Sequence, residues 1–181
     1  MKVLIIVKIL FILTIILILS LKGYRKGITI PIYPCNEVDK VKEAIKFRTQ
    51  SDIDMFNLTD KSVSYAFSPI VNESVEELNG IFEDQERLIL FFKNLINRPR
   101  PEQVDSSIVP LVSSTANTPA YPAGHAYQAY YLAKVLSKKY PDKKKQLYNI
   151  ARMCDKCRVS SGIHYPSDGM FSKFLVFFLN F

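Results

Sequence analysis

The sequence predicts an all-α fold, a helical bundle preceded by one hydrophobic N-terminal helix. Apolar residues recur at i, i+3 and i+4 spacing through most of the chain, and no stretch alternates apolar and polar as a half-buried strand would. The first 21 residues hold 17 apolar side chains, broken only by Lys2, Lys8, Thr14 and Ser20. With 181 residues, 48% of them apolar and 23% charged, the chain suits one domain and is too apolar to be disordered. Three cysteines rule out a disulfide scaffold.

Residues 1–21 come close to the roughly 20 apolar residues that span a bilayer, if Lys8 snorkels to the headgroups. A secretory signal peptide is the competing reading and would make the protein secreted. Cleavage needs small residues spaced as in A-x-A, whereas the exit reads Ile18-Leu19-Ser20-Leu21-Lys22, so an uncleaved single-pass membrane anchor is favoured. Lys22, Arg25 and Lys26 after the span offset Lys2 and the amino terminus before it, which leaves the side of the membrane undetermined. Asn57-Leu58-Thr59 and Asn72-Glu73-Ser74 are glycosylation triplets if that side is lumenal.

Residues 22–36, with two glycines, two prolines and several basic residues, read as a linker, and 37–181 as the helical domain. Asn36 is placed to cap a helix through Val38, Val41 and Ile45 to about Arg48. Residues 49–72 lack a firm period and contain Pro69, so they read as loop with a short helical turn at most. A long helical stripe follows from Ser74, through Val75, Leu78, Phe82, Leu88, Phe91, Phe92 and Leu95, until Pro99 and Pro101 stop it. Residues 102–122 read as a loop ending in Tyr121-Pro122-Ala123-Gly124. One helix then runs from His125 to about Lys139 and another from Pro141 to near Gly162, before a short, very apolar segment, Gly169–Phe181.

The net charge is +7, from 24 Lys+Arg against 17 Asp+Glu; without Lys2 and Lys8, residues 22–181 carry 22 − 17 = +5. Such a balance suits phosphate, anionic lipid or nucleic acid, and equally a solvated lysine-rich surface. Position says more than total charge. Lys93 stands near a helix end, and Arg100 lies seven residues on, in a Pro99-Arg100-Pro101 turn. Gly124 and His125 open a helix, where free backbone N–H groups favour an anion. Arg158 lies near the end of the next helix, with His164 and Asp168 six and ten residues beyond. These segments include both histidines of the chain and describe a phosphate-handling site.

The same segments resemble the signature of the type 2 phosphatidic acid phosphatase superfamily, which also holds class A acid phosphatases and vanadium haloperoxidases. Its Lys-x6-Arg-Pro is matched by Lys93 through Arg100-Pro101 and its Pro-Ser-Gly-His by Pro122-Ala123-Gly124-His125. Its Ser-Arg-x5-His-x3-Asp is matched by Cys157-Arg158 through His164 and Asp168. The resemblance covers roughly residues 60–172 and implies a helical bundle of the acid phosphatase type, acting on a phosphate ester without metal or other cofactor. It implies that Lys93, Arg100 and Arg158 cage the phosphoryl group, with Gly124 and position 123 beside it. Arginine's planar fork suits two phosphate oxygens at once. His164 becomes the nucleophile, oriented by Asp168, and His125 the proton donor to the leaving group. Opposite protonation states of the two rings imply a bell-shaped pH profile on the acid side.

This chain departs from the signature in several places. Ala123 replaces the serine before Gly-His, removing one hydroxyl donor, and Cys157 replaces the serine before Arg158. Ser172 stands where the family often has glycine, and the tail after Asp168 is short. Ala123 also keeps open a rival, a tethered binding protein that holds phosphorylated ligands without turnover. A second rival within the fold binds vanadate as a cofactor for halide oxidation; in the phosphatase reading vanadate is an inhibitor. Cys154-x2-Cys157 with Cys35 and the histidines makes a poor zinc site, and core or surface cysteines are the better reading. Lys143-Lys144-Lys145 reads as a solvated helix start or a contact to anionic lipid. Tyr127, Tyr130 and Tyr131 read as core or pocket wall rather than a nucleobase platform, and no nucleic-acid partner is expected. A lipid phosphate such as phosphatidic acid and a small soluble ester are both open as substrate.

Overall fold

The computed structural model describes Leu10, Leu13 and residues 23–178. The expected N-terminal anchor lies outside the described residues save for Leu10 and Leu13, and none of the described helices is long and apolar enough to cross a membrane. Nine α-helices and two short 3-10 turns make up the described secondary structure, with no strand among the described residues. They are α1 (Val38–Lys46), α2 (Gln50–Thr59), α3 (Ser64–Val71), α4 (Val75–Phe82), α5 (Glu86–Ile96), α6 (Pro101–Val104), α7 (Gly124–Lys139), α8 (Lys144–Ser160) and α9 (Pro166–Phe178).

The helices α7 and α8 form the central pair, with α9 against α7 and α2 against α8. Leu132, Ala133 and Leu136 of α7 meet Leu147, Ala151 and Cys154 of α8 in the main core, which Phe67, Leu78 and Val176 complete from α3, α4 and α9. Leu132 and Leu147 are fully buried. Truncating either to alanine removes its transfer free energy and leaves a cavity, about 2–5 kcal/mol.

Two expectations are corrected. Residues 49–72, read as loop, carry the helices α2 and α3. Thr49 starts α2 with a capping box, its hydroxyl accepting from the Asp52 N–H while the Asp52 carboxylate accepts from the Thr49 N–H. Pro69 sits inside α3. The carbonyl it leaves unpaired belongs to Tyr65, which is exposed and can be hydrated. The single stripe expected from Ser74 is two helices joined by a 3-10 turn at Glu83–Gln85. The five consecutive polar residues 83–87 carry no apolar side chain to keep one face inward. Two smaller differences concern α1, which has Glu37 rather than Asn36 at its N-cap with no side-chain cap bond, and the short α6 within the expected loop.

Two residues with positive φ set the approaches to the site. Asn97 (φ 52°) ends α5 in the left-handed region and turns the chain into Arg98–Pro101. Gly162 (φ 82°) does the same after α8. A β-carbon there would also crowd Ile45, Ile108 and Pro110 at 3.2–3.3 Å, so only glycine fits the turn that delivers His164.

Candidate active site

Lys93 lies in the last turn of α5 and is buried, its Nζ donating to the Pro119 carbonyl at 2.5 Å. The Arg100 Nε donates to the neighbouring Thr118 carbonyl at 2.9 Å, and its Nη1 to the Ile163 carbonyl at 2.7 Å. Backbone oxygens therefore hold both cations without neutralising them. Burial pushes the Lys93 ammonium well below its ordinary value, and the Arg100 charge adds to this. Burial also lowers Arg100.

Arg158 ends α8 with its guanidinium 4.8 Å from the Phe56 ring centroid. Its Nη2 donates to Thr59 Oγ1 at 2.6 Å and its Nη1 to Asp60 Oδ1 at 3.3 Å, while its buried Nε has no hydrogen-bond partner in the structure. Cys157 has turned away, its thiol donating to the Cys154 carbonyl of the same helix at 3.1 Å. Burial raises that thiol to about 11, which keeps it neutral.

The tautomers of the two histidines follow from their neighbours. His164 Nδ1 lies 3.0 Å from Asp168 Oδ2, so it carries the proton and Nε2 keeps a lone pair. His125 Nε2 lies 2.9 Å from the Asp60 carbonyl, which can only accept; its proton sits there, and Nδ1 is the free position. A cavity of about 450 Å³ is lined by both histidines, Lys93, Arg100 and Gly124, among others. Arg158, Asp168 and Ala123 are not part of its wall. Asp168 holds the His164 ring through Nδ1, Arg158 shares Asp60 with His125, and the Arg158 charge acts on both rings. Ala123 is fully buried as the N-cap of α7, its N–H donating to the Asp168 carbonyl at 3.2 Å. The Ser172 hydroxyl joins the same two helix ends, lying 2.8 Å from the Ala123 carbonyl and 2.9 Å from the Asp168 carbonyl.

Opposite protonation of the two rings is not the resting state. Burial, with Arg158 next, lowers His125 to about 3. Burial, then Arg100, Lys93 and Arg158, lowers His164 well below the usual histidine value. Both imidazoles are neutral near pH 7 because a buried proton would join a cluster of cations. Burial also raises the Asp168 carboxyl. Even so, Arg98, Tyr165 N–H and His164 all converge on its two oxygens, and an acceptor of three donors is a carboxylate.

Arg98, Glu37 and Asp60 escaped the sequence reading. Arg98 packs with its guanidinium 4.1 Å from the Tyr33 ring centroid and 3.7 Å from that of Tyr165. It donates to Asp168 Oδ1 at 2.5 Å and to Glu37 Oε2 at 3.1 Å, and Ser167 joins the same carboxylate. Its place between Asn97 and Pro99, beside Arg100, was the available signal. Asp60 holds Arg158, Ser113 and Ser114 through its carboxylate and His125 through its carbonyl. It lay in the segment read as loop and had no signal.

The described residues form an all-helical fold that brings two histidines and two buried cations, Lys93 and Arg100, to one cavity. The PAP2 superfamily model matches residues 63–180, and the chain belongs to that superfamily. No curated protein matches the chain. Among solved structures, it is similar to the first transmembrane PAP2-type phosphatidylglycerolphosphate phosphatase from Bacillus subtilis, at 20% identity and a TM-score of 0.54, covering 95% of this chain and 94% of that one. That likeness is one of fold.

Proposed function

We propose that the protein is a metal-independent phosphatase that hydrolyses a phosphomonoester through a phosphohistidine. The observation that carries this is the His164 tautomer: with Nδ1–H directed at Asp168, the Nε2 lone pair is free in a cavity that also holds Lys93 and Arg100. Membership of the superfamily supports the reaction class.

The phosphoryl oxygens sit among Lys93, Arg100 and the N–H groups that open α7, with the unpartnered Nε of Arg158 behind. His164 Nε2 attacks phosphorus as the ester P–O bond breaks, and the leaving alkoxide takes a proton from His125 Nδ1. The products of this half are an alcohol and a phosphohistidine whose positive ring Asp168 stabilises. His125 then takes a proton from water, the resulting hydroxide attacks phosphorus, and the P–N bond breaks to release phosphate. His125 takes the proton it needs from solvent as the substrate binds. A phosphate dianion offsets the cations that keep the ring neutral, and its basicity rises.

The test is the full chain in detergent on a chromogenic phosphate ester with excess EDTA. Turnover that persists in EDTA, is blocked by vanadate and is lost in His164→Ala is the expected result. Phosphate binding without turnover would support the binding-protein alternative that Ala123 motivates, and activity abolished by EDTA would overturn the metal-independent mechanism.

A further inference from the structure

We infer that the end of the cavity away from the cation cage is a leaving-group subsite for an uncharged, hydroxyl-bearing alcohol, so that the preferred substrate is a polyol or sugar monophosphate. This rests on the phosphatase reading above and concerns what lies beyond the phosphate.

The direction of the cavity follows from how α5 and α7 face each other. Gly124 faces Ile89 and Lys93, and one turn along α7 the Tyr127 hydroxyl donates to Gln85, just before α5. The two helices therefore run in opposite directions along the cavity. Lys93, Gly124 and His164 mark the phosphate end, and Glu86, seven residues before Lys93 on α5, and Gln128, one turn beyond Gly124 on α7, mark the other. Gln128 lies three residues after His125, on the face of α7 that carries the proton donor. An alkoxide receiving that proton places its next carbons against Gln128.

Two side-chain amides face this space. Asn79, which lines the cavity, has its Oδ1 taken by the hydroxyls of Ser62 at 2.6 Å and Ser64 at 2.8 Å, so its Nδ2 is the group that remains to donate. Gln128 has no hydrogen-bond partner among the described residues and is half-buried on the wall. Phe82, Ile89 and Leu90 also line the cavity and can meet the carbons of the alcohol, while the two neutral amides select hydroxyl or carbonyl oxygens, since pure hydrocarbon would leave them unpaired. Beyond the cage, Glu86 and Lys61 line the cavity with opposite charges, so the wall carries no net charge there to select a second phosphate. The volume of about 450 Å³ fits a small polyol phosphate as a whole.

The test compares kcat/KM of the full chain for glycerol 1-phosphate, butyl phosphate and phosphatidic acid in detergent, in the wild type and in Gln128→Met, which keeps side-chain length. Expected is a wild-type preference for glycerol phosphate over butyl phosphate of roughly tenfold, shrinking about three- to tenfold in Gln128→Met. Calorimetric affinities for the same three compounds to His164→Ala read the subsite without turnover. A binding preference for glycerol phosphate together with no turnover by the wild type keeps the subsite and removes the phosphatase reading. Equal affinities and rates for glycerol and butyl phosphate, a ratio unmoved by Gln128→Met, or phosphatidic acid as the best substrate would each overturn the proposal.

Discussion

Arg98 and His164 meet on one carboxylate. Arg98 Nη1 lies 2.5 Å from Asp168 Oδ1, and His164 Nδ1 lies 3.0 Å from Asp168 Oδ2. The aromatic rings of Tyr33 and Tyr165 flank the guanidinium, and its second arm holds Glu37. The candidate nucleophile is thus oriented by a chain of buried charge that starts in the segment preceding α1.

Removing Arg98 strands two buried acids. Arg98→Ala is expected to lower the unfolding free energy by about 3–5 kcal/mol, as for other buried pairs broken from one side. Arg98→Lys keeps the charge but cannot reach Glu37 and Asp168 with a planar fork, so it falls between. Denaturant unfolding of the two variants measures this, and a loss below 1 kcal/mol in Arg98→Ala would contradict the network.

Phosphate binding is expected to take up a proton. Burial and the Arg158 charge lower His125 to about 3, which keeps it neutral. A bound dianion compensates Arg158 and its neighbours and moves the ring back toward ordinary histidine. Calorimetry of vanadate or phosphate binding near pH 6.5, in two buffers of different ionisation enthalpy, gives the proton count, and His125→Asn is expected to abolish the uptake.

The same shift has a sign for folding. His125 in the folded protein lies at about 3, against an ordinary 6.5. Between those values the unfolded chain binds a proton that the native state refuses, so stability falls as pH drops through the window. Asp155 runs the other way, because burial raises it from 3.8 to about 6 and the native state holds its proton longer. The difference between wild type and His125→Asn isolates the histidine. Stability of the variant should fall less steeply from pH 6.5 to 4, read from urea midpoints at constant m.

Ala123→Ser restores a hydroxyl at the N-cap of α7, where the backbone (φ −74°, ψ 109°) already has the extended conformation that capping serines adopt. Turnover is expected to rise by about tenfold, below the ~10²–10³ that a fully engaged oxyanion donor supplies, because position 123 is buried outside the cavity wall, and capping adds about 0.5–1 kcal/mol. Steady-state kinetics on the chromogenic ester decides it. An unchanged or lower rate would place that hydroxyl away from the phosphate.

The site was legible where chemistry and chain geometry coincide. Lys93, Arg100, Gly124, His125 and His164 each stand at a helix end or beside a proline, and all line one cavity. The parts that hold them in place were not legible. Asp60 acts on His125 through a carbonyl, which every residue type possesses, and Glu37 reaches Arg98 across 61 residues of sequence. In the fold, α7 and α8 were readable from their apolar spacing. The helix α2 was hidden because its stability comes from packing on α8 and a reciprocal cap, with little amphipathic pattern of its own.

The hydroxyl of Ser172 spans the carbonyls at the roots of two motif helices. A glycine at 172 would leave the N-terminal end of the α7–α9 seam to the amide bond from Ala123, with the Lys134 ammonium on the Val176 carbonyl further along it. Substitutions at 123 and 172 are therefore thermodynamically entangled. The effect of a serine installed at 123 will differ according to whether 172 carries serine or glycine, and a double-mutant cycle would return a nonzero cross term. In a lineage, the order in which those two replacements occurred would have mattered.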